Sequence, residues 1–333
     1  MQDAKIKLLE AQVELLKKLD SKERQVVQKN NKIKSSDVFK TIKEVIEKYS
    51  FKNIIGYLCE LSGVSRSGYY NYIASSDIRI EREQRDLEHR YLILKVFNRR
   101  GYKKGSRSIK MTLNNEFNII YSIKRIRRIM NKYEIICPHR RANPYRRIAK
   151  ATKEHSVVKN ILNREFKQAT PGKILLTDIT YLPYGNSKMA YLSTIKDSST
   201  NEILAYQTSD RITLDIALDT IKKLVKNRRV TLTKDAFIHS DQDSHYTSPT
   251  FQKLLKKHKL SQSMSRRGNC WDNAPQESFF GHMKDEIDLK SCTTLENVKK
   301  MIDRYITYYN NYRYQWNLKK MAPVQYSNHL LAS

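Results

Sequence analysis

Three carboxylates in apolar surroundings constrain this chain more than any other feature. Asp178 interrupts Ile174-Leu175-Leu176-Thr177-Asp178-Ile179-Thr180-Tyr181-Leu182, and Asp241 closes a second run, Phe237-Ile238-His239-Ser240-Asp241. Glu277 stands in Asp272-Asn273-Ala274-Pro275-Gln276-Glu277-Ser278-Phe279-Phe280, which reads as a helix start. An acid inside or just after a β-run is costly to bury unless positive charge lies beside it. Three such acids, brought together, form an oxygen-ligand site for hard divalent cations.

The charge balance points to the substrate of such a site. The chain has 63 Lys and Arg against 34 Asp and Glu, a formal net charge of +29, and an isoelectric point near 9.8. A polyanionic partner follows, because each cation placed on a phosphate releases a condensed counterion. A merely basic soluble protein is the plain alternative. No apolar run approaches the ~18 residues of a spanning helix, so no membrane role is expected. The charged, helix-patterned opening is not expected to be a signal peptide. Cys59, Cys137, Cys270 and Cys292 form no CxxC pair and no Cys/His metal spacing, which fits a reducing cytosol and disfavours structural zinc. His239 and His245 flank the Asp241 segment and read as hydrogen-bonding residues rather than ligands.

The 333 residues are enough for two or three domains. Residues 1–36 form an N-terminal helix with a short heptad seam, Ile6, Leu9, Val13 and Leu16, either solvated or self-associating as a coiled coil. Residues 37–80 read as a helix-turn-helix: Asp37 caps the first helix and Ile54 to Leu61 forms the second. Gly63 allows the turn, and Ser65 caps a third helix carrying Arg66, Tyr69, Tyr70 and Tyr72. Such a helix suits phosphate and groove contacts, or is a plain hairpin with Tyr in its core. Residues 81–137 form a second such module. Its first helix, Asp86 to Arg99, turns Leu87, Tyr91, Leu94, Val96 and Phe97 inward. Helices over Ser106–Asn114 and Ser122–Lys132 follow. The last sets Lys124, Arg125, Arg127, Arg128 and Lys132 around Ile123, Ile126, Ile129 and Met130, a face that favours DNA over simple solvation. Residues 138–169 are a basic linker by composition.

From about residue 170 the pattern becomes α/β. Strands are expected over 173–183, 188–196 and 201–208, the first two joined at Gly185-Asn186-Ser187. A helix over Leu214–Val225, a strand over Ala236–His239, a helix over Ser248–His258 and a strand over Ser261–Met264 come next. Helices over Ala274–Ile287 and Leu295–Asn310 end the pattern. The catalytic domain spans 170–290, a mixed sheet flanked by helices, and 291–333 is a C-terminal helical extension. If the strands of Asp178 and Asp241 are neighbours, Glu277 completes the site from a helix. Two Mg²⁺ ions about 3.5–4 Å apart could then be held by the acids, one activating a water or 3′-hydroxyl and the other stabilising the leaving oxygen. Mn²⁺ can substitute. Asp197, another acid at a strand end, is either a turn cap or a further ligand.

Several segments together resemble one family. They are His239-Ser240-Asp241-Gln242, Tyr246-Thr247-Ser248, Ser263-Met264-Ser265-Arg266-Arg267-Gly268-Asn269, Asp272-Asn273-Ala274 and Glu277-Ser278-Phe279-Phe280, with Tyr308-Tyr309-Asn310-Asn311-Tyr312-Arg313 and Met321-Ala322-Pro323-Val324-Gln325-Tyr326 near the end. They resemble the integrase-like DDE transposases, specifically the second-frame product of the bacterial insertion sequences named for insertion sequence three. The 35 residues between Asp241 and Glu277 match that family's spacing, and Lys284 falls where the family has a basic residue. Asp243 replaces the family's glycine, which could strain a turn or add a carboxylate. The longer product's extreme N-terminal helix-turn-helix is expected to be absent, since the chain opens in the heptad segment.

The resemblance implies an α/β ribonuclease-H-like catalytic domain preceded by all-α helix-turn-helix modules. It implies a DNA transposase with Asp178, Asp241 and Glu277 as catalytic, metal-binding residues. Lys284, Arg66, Lys124, Arg125, Arg127, Arg128, Arg266 and Arg267 are the candidate DNA contacts. Double-stranded DNA, as element ends and target, is the expected partner, with a homo-oligomer and a cytoplasmic, nucleoid-associated location in a bacterium. The residues alone leave open a metal-dependent nuclease without strand transfer and an inactive DNA-binding regulator.

Overall fold

The sheet that carries the acids lies in the second of two packed units, Met1–His89 and Arg90–Ser333. The computed structural model describes residues 2–27, 33–50, 54–138, 162, 170–265 and 274–332. Arg266, Arg267 and nearly all of the 138–169 linker lie outside the described residues.

The first unit is helical: α1 (Gln2–Val27), α2 (Ser35–Tyr49), α3 (Ile55–Leu61), α4 (Arg66–Ala74) and the start of α5 (Ser76–Asn98). Its core joins Ala11 and Leu15 of α1 to Val38, Ile42 and Val45 of α2, Leu58 and Cys59 of α3, and Tyr69 of α4. The heptad seam is therefore not the buried line. Ile6, Leu9, Val13 and Leu16 stay about half exposed, and α1 meets α2 through an adjacent stripe containing Ala11. Gly63 has φ of +65°, which a side chain resists, and Ser65 Oγ accepts from Gly68 N at 3.1 Å, so turn and cap are as expected. Asp37 differs: α2 starts at Ser35 after Lys34, and Asp37 instead places negative charge in the first turn, where it favours the helix dipole. On α4, Tyr69 and Tyr72 pack against Phe39, which leaves Arg66 and Tyr70 exposed.

α5 begins at Ser76 rather than at the expected Asp86, and it runs unbroken through the boundary expected between residues 80 and 81. In the second unit it packs with α6 (Ser106–Phe117) and α7 (Ile123–Lys132). Its buried face there is Ile93, Val96 and Phe97, while Leu87 and Tyr91 are exposed. The expected apolar side was thus rotated by part of a turn. α7 is capped by Ser122, whose Oγ accepts from Arg125 N at 3.1 Å, and buries Ile126, Ile129 and Met130.

The α/β part follows the expected order closely. The strands are β1 (Ile174–Tyr184), β2 (Lys188–Asp197), β3 (Ile203–Ser209), β4 (Phe237–Ser240) and β5 (Ser261–Met264). The helices are α8 (Leu214–Lys226), α9 (Ser244–Thr247), α10 (Pro249–Lys257), α11 (Ala274–Glu286), α12 (Leu295–Tyr312) and α13 (Pro323–Leu331). The sheet order is β3-β2-β1-β4-β5. The first three strands are antiparallel, and β4 and β5 continue parallel to β1. One face, with Leu175, Ile195 and Ile238, packs against α8 and α10. The other, with Leu182, Leu192 and Ile203, packs against α11 and α12.

Candidate active site

Strand register brings the first two acids together. β1 and β4 pair in parallel, Leu176 opposite His239, and Asp178 and Asp241 each come two residues further along. Two acids at one level on adjacent strands repel, and the groups record it. Burial pushes the Asp178 carboxyl up to about 7, and the Asp241, Glu277 and Asp243 charges add to this. Ile179 N–H, donating to Asp178 Oδ1 at 2.8 Å, offsets part of the rise. Asp241 is raised too, chiefly by burial and then by Asp243, while the Asp243 N–H (3.1 Å to Oδ1) and His245 oppose the rise.

Glu277 sits exposed in the first turn of α11, and two neighbours latch that turn to the sheet. Gln276, fully buried, donates from Nε2 to Thr194 Oγ1 at 2.6 Å. Thr194 is the β2 residue directly opposite Asp178. Lys196, 3% exposed, donates from Nζ to Pro275 O at 2.8 Å. These contacts hold the Glu277 backbone beside the β1–β2 pair. Both latch residues escaped the sequence reading, because Lys196 stood only as a neighbour of Asp197 and Gln276 only as a neighbour of Glu277.

The donor set is of the class that hard divalent ions take: carboxylates, two of them largely desolvated and short of positive charge. Among the described residues, no three His, Cys, Asp or Glu side chains stand within common reach of one ion. The acids are thus in Coulombic range of one another but not closed into a cage, and waters and phosphate oxygens would have to complete any coordination.

Asp197 is a turn cap. Its carboxylate accepts from Gly172 N at 2.6 Å, Ser199 N at 2.8 Å, Ser199 Oγ at 2.6 Å and Thr200 N at 3.1 Å. His239 Nδ1 lies 2.9 Å from Ser263 Oγ, and His245 Nε2 lies 3.4 Å from Ile212 O, so both are hydrogen-bonding residues. Asp243 has φ of −62° and ψ of 151° and accepts from Ser244 N at 2.6 Å. It strains no turn; it adds a carboxylate beside the pair. Lys284 is exposed near the end of α11; partial desolvation lowers its pKa, and the Asp178 charge opposes that shift. The described cations Lys124, Arg125, Arg127 and Arg128 are all exposed along α7, and Arg66 is exposed on α4.

A five-stranded mixed sheet in this order, with helices on both faces, one acid inside β1 and another directly after β4, defines a ribonuclease-H-like fold of the polynucleotidyl transferase class. Two models described as an integrase core domain match residues 168–270 and 277–331, and an HTH-like domain matches 81–143. An uncharacterized transposase-like protein of Haemophilus influenzae is 38% identical over 51% of this chain and 77% of its own length. The transposase InsK of insertion sequence IS150 from Escherichia coli is 35% identical over 51% of this chain. The match spans 59% of that relative's length. The Escherichia coli transposase InsF of IS3A is 27% identical over 86% of this chain and 98% of its own. The chain belongs to the insertion-sequence transposases of the IS3 family. Among solved structures, the HTLV-2 integrase catalytic core domain in complex with magnesium is 16% identical, covering 46% of this chain and 95% of that one, with a TM-score of 0.35. Among the described residues, no helix is long and apolar enough to cross a membrane.

Proposed function

We propose that this transposase binds the ends of its element and catalyses DNA strand cleavage and strand transfer, with Asp178, Asp241 and Glu277 as the metal-binding catalytic acids. The observation that carries the reading is the register of β1 and β4, which sets two largely desolvated, mutually repelling carboxylates side by side. Such a pair is costly in a protein that does not use it.

In this reading Asp178 and Asp241 would hold two divalent ions from the sheet, and Glu277 would contribute from α11. Mg²⁺, or Mn²⁺ in its place, supplies when bound the positive charge that activates an attacking hydroxyl and stabilises the departing oxygen. The Gln276 and Lys196 latches keep Glu277 over the sheet while DNA enters. Lys284 holds a phosphate next to the scissile one. The exposed cations of α7, with Arg66, Arg266 and Arg267, take the backbone of double-stranded DNA, in an HTH-like mode for the α7 helix. Synapsis of two ends calls for a homo-oligomer, acting in the cytoplasm on the nucleoid.

The test replaces Asp178, Asp241 and Glu277 singly with Ala and follows cleavage and joining of labelled element ends in Mg²⁺. Loss of both reactions with end binding preserved supports the assignment. Strand transfer retained by any one variant removes that residue. Cleavage without joined products in the unaltered protein would make it a nuclease, and binding without cleavage a regulator.

A further inference from the structure

A polar cavity of about 340 Å³ opens beside the start of α11. Pro275 and Ser278, which bracket Glu277, line it together with Lys196, His282, Arg313 and Trp316. Three of these side chains are basic, and no Asp or Glu is among the described residues lining it. Arg313 has a partner, Glu286, which accepts from Nε at 2.9 Å and from Nη2 at 2.7 Å. The other two have no such ion pair among the described residues; Glu286 and Asp285 act on His282, and Asp197 on Lys196, through charge alone. Lys196 donates to Pro275 O, a neutral group, and the adjacent Asp197 is engaged by backbone amides and the Ser199 hydroxyl. Burial, and then the Arg313 charge, hold Lys196 down to about 7 and depress His282 as well.

Basic side chains drawn together around a polar space are stabilised in their charged forms by an anion. The space is too small for a duplex and suits a single nucleotide. Trp316 is 49% exposed, with the Lys320 ammonium 5.4 Å from its ring centroid, and so offers a stacking surface inside a positive field. Because Pro275 and Ser278 flank Glu277, whatever fills the cavity is held within a few residues of the acids that process DNA.

We propose that this cavity receives one unpaired nucleotide at the end of a DNA strand, its phosphate held by Lys196, His282 and Arg313 and its base stacked on Trp316. The assignment rests on the transposase reading above and adds to it how a frayed strand end is kept clear of the reacting one.

The test uses the full chain in EDTA, so that no metal ion recruits phosphate. Trp271→Phe leaves Trp316 as the sole tryptophan, since the chain has 2. Two probes are titrated: a blunt duplex, and the same duplex with one unpaired 5′-phosphorylated nucleotide. The unpaired end is expected to bind about tenfold more tightly, as one stacked base supplies, and to quench Trp316 emission. His282→Gln and Trp316→Ala should each remove that preference without changing blunt-duplex affinity, and Trp316→Phe should retain it. Equal affinity for the two probes, preference without quenching, or preference that survives both variants overturns the proposal. Competition by a free deoxynucleotide monophosphate as strong as by the strand end overturns the strand-end assignment. Cleavage of element ends in Mg²⁺ is scored separately: its failure with the preference intact sinks the transposase reading, and the converse sinks only the cavity.

Discussion

Replacing Asp178 with Asn should stabilise the metal-free protein at neutral and higher pH while abolishing its chemistry. The Asp178 carboxyl stands at about 7 against an ordinary 3.8. Each tenfold change in proton affinity is about 1.4 kcal/mol, so ionising the folded protein at this position costs up to about 4 kcal/mol. The direction follows from the raised value. Below the unfolded value the side chain is neutral in both states and no penalty exists; the penalty grows as pH rises and is complete above about 7. The introduced amide carries no charge at any pH, and its oxygen can still accept from Ile179 N–H. Urea melts in EDTA at pH 4 and pH 8 measure the difference. The variant should match the unaltered protein at pH 4 and exceed it at pH 8 by about 2–4 kcal/mol. Added Mg²⁺ at pH 8 should stabilise the unaltered protein and leave the variant little changed, because ligand that binds only the folded form adds to its stability. A variant no more stable than the parent at pH 8 would show that the acids are already balanced by charge or water, and the argument for a strained metal site would fail.

Three further outcomes follow from the same geometry. Gln276→Ala should cost about 2–4 kcal/mol in urea melts through a lost buried bond and a new cavity. Gln276→Met should stay within about 1 kcal/mol of the parent, because it fills the volume and also removes the buried, unpartnered Oε1. Lys284→Ala should lower strand joining while shifting stability by less than about 0.5 kcal/mol, with Lys284→Arg restoring part of the joining; unchanged joining makes it a surface residue. Replacing Lys124, Arg125, Arg127 and Arg128 together with Ala should reduce the slope of log K against log salt by about 3–4 for duplex binding, and an unchanged slope would place the DNA elsewhere.

What could be read from the chain depended on whether the cause of each feature was local. The acid inside β1 announced itself because its neighbours in sequence are also its neighbours in the strand, and the hairpin to β2 was marked by Gly185, which has φ of +51°. The capping of α4 by Ser65 and of α7 by Ser122 was legible for the same reason. The apolar line of α1 was not: large residues drew attention to Ile6, Leu9, Val13 and Leu16, yet close approach to α2 goes through Ala11, whose small size is the point. Asp243 shows the converse, since a family glycine suggested a positive φ that this backbone does not have. The latch under Glu277 lay furthest from view. Gln276 meets Thr194 82 positions away and Lys196 meets Pro275 79 positions away, so neither contact leaves a trace in spacing or periodicity. Yet these contacts fix the turn that carries Glu277 against the sheet that carries Asp178. The acids proposed to do the chemistry were visible because charge is out of place in apolar strands, and the residues that hold them were hidden because buried polar groups look ordinary until their partners are known.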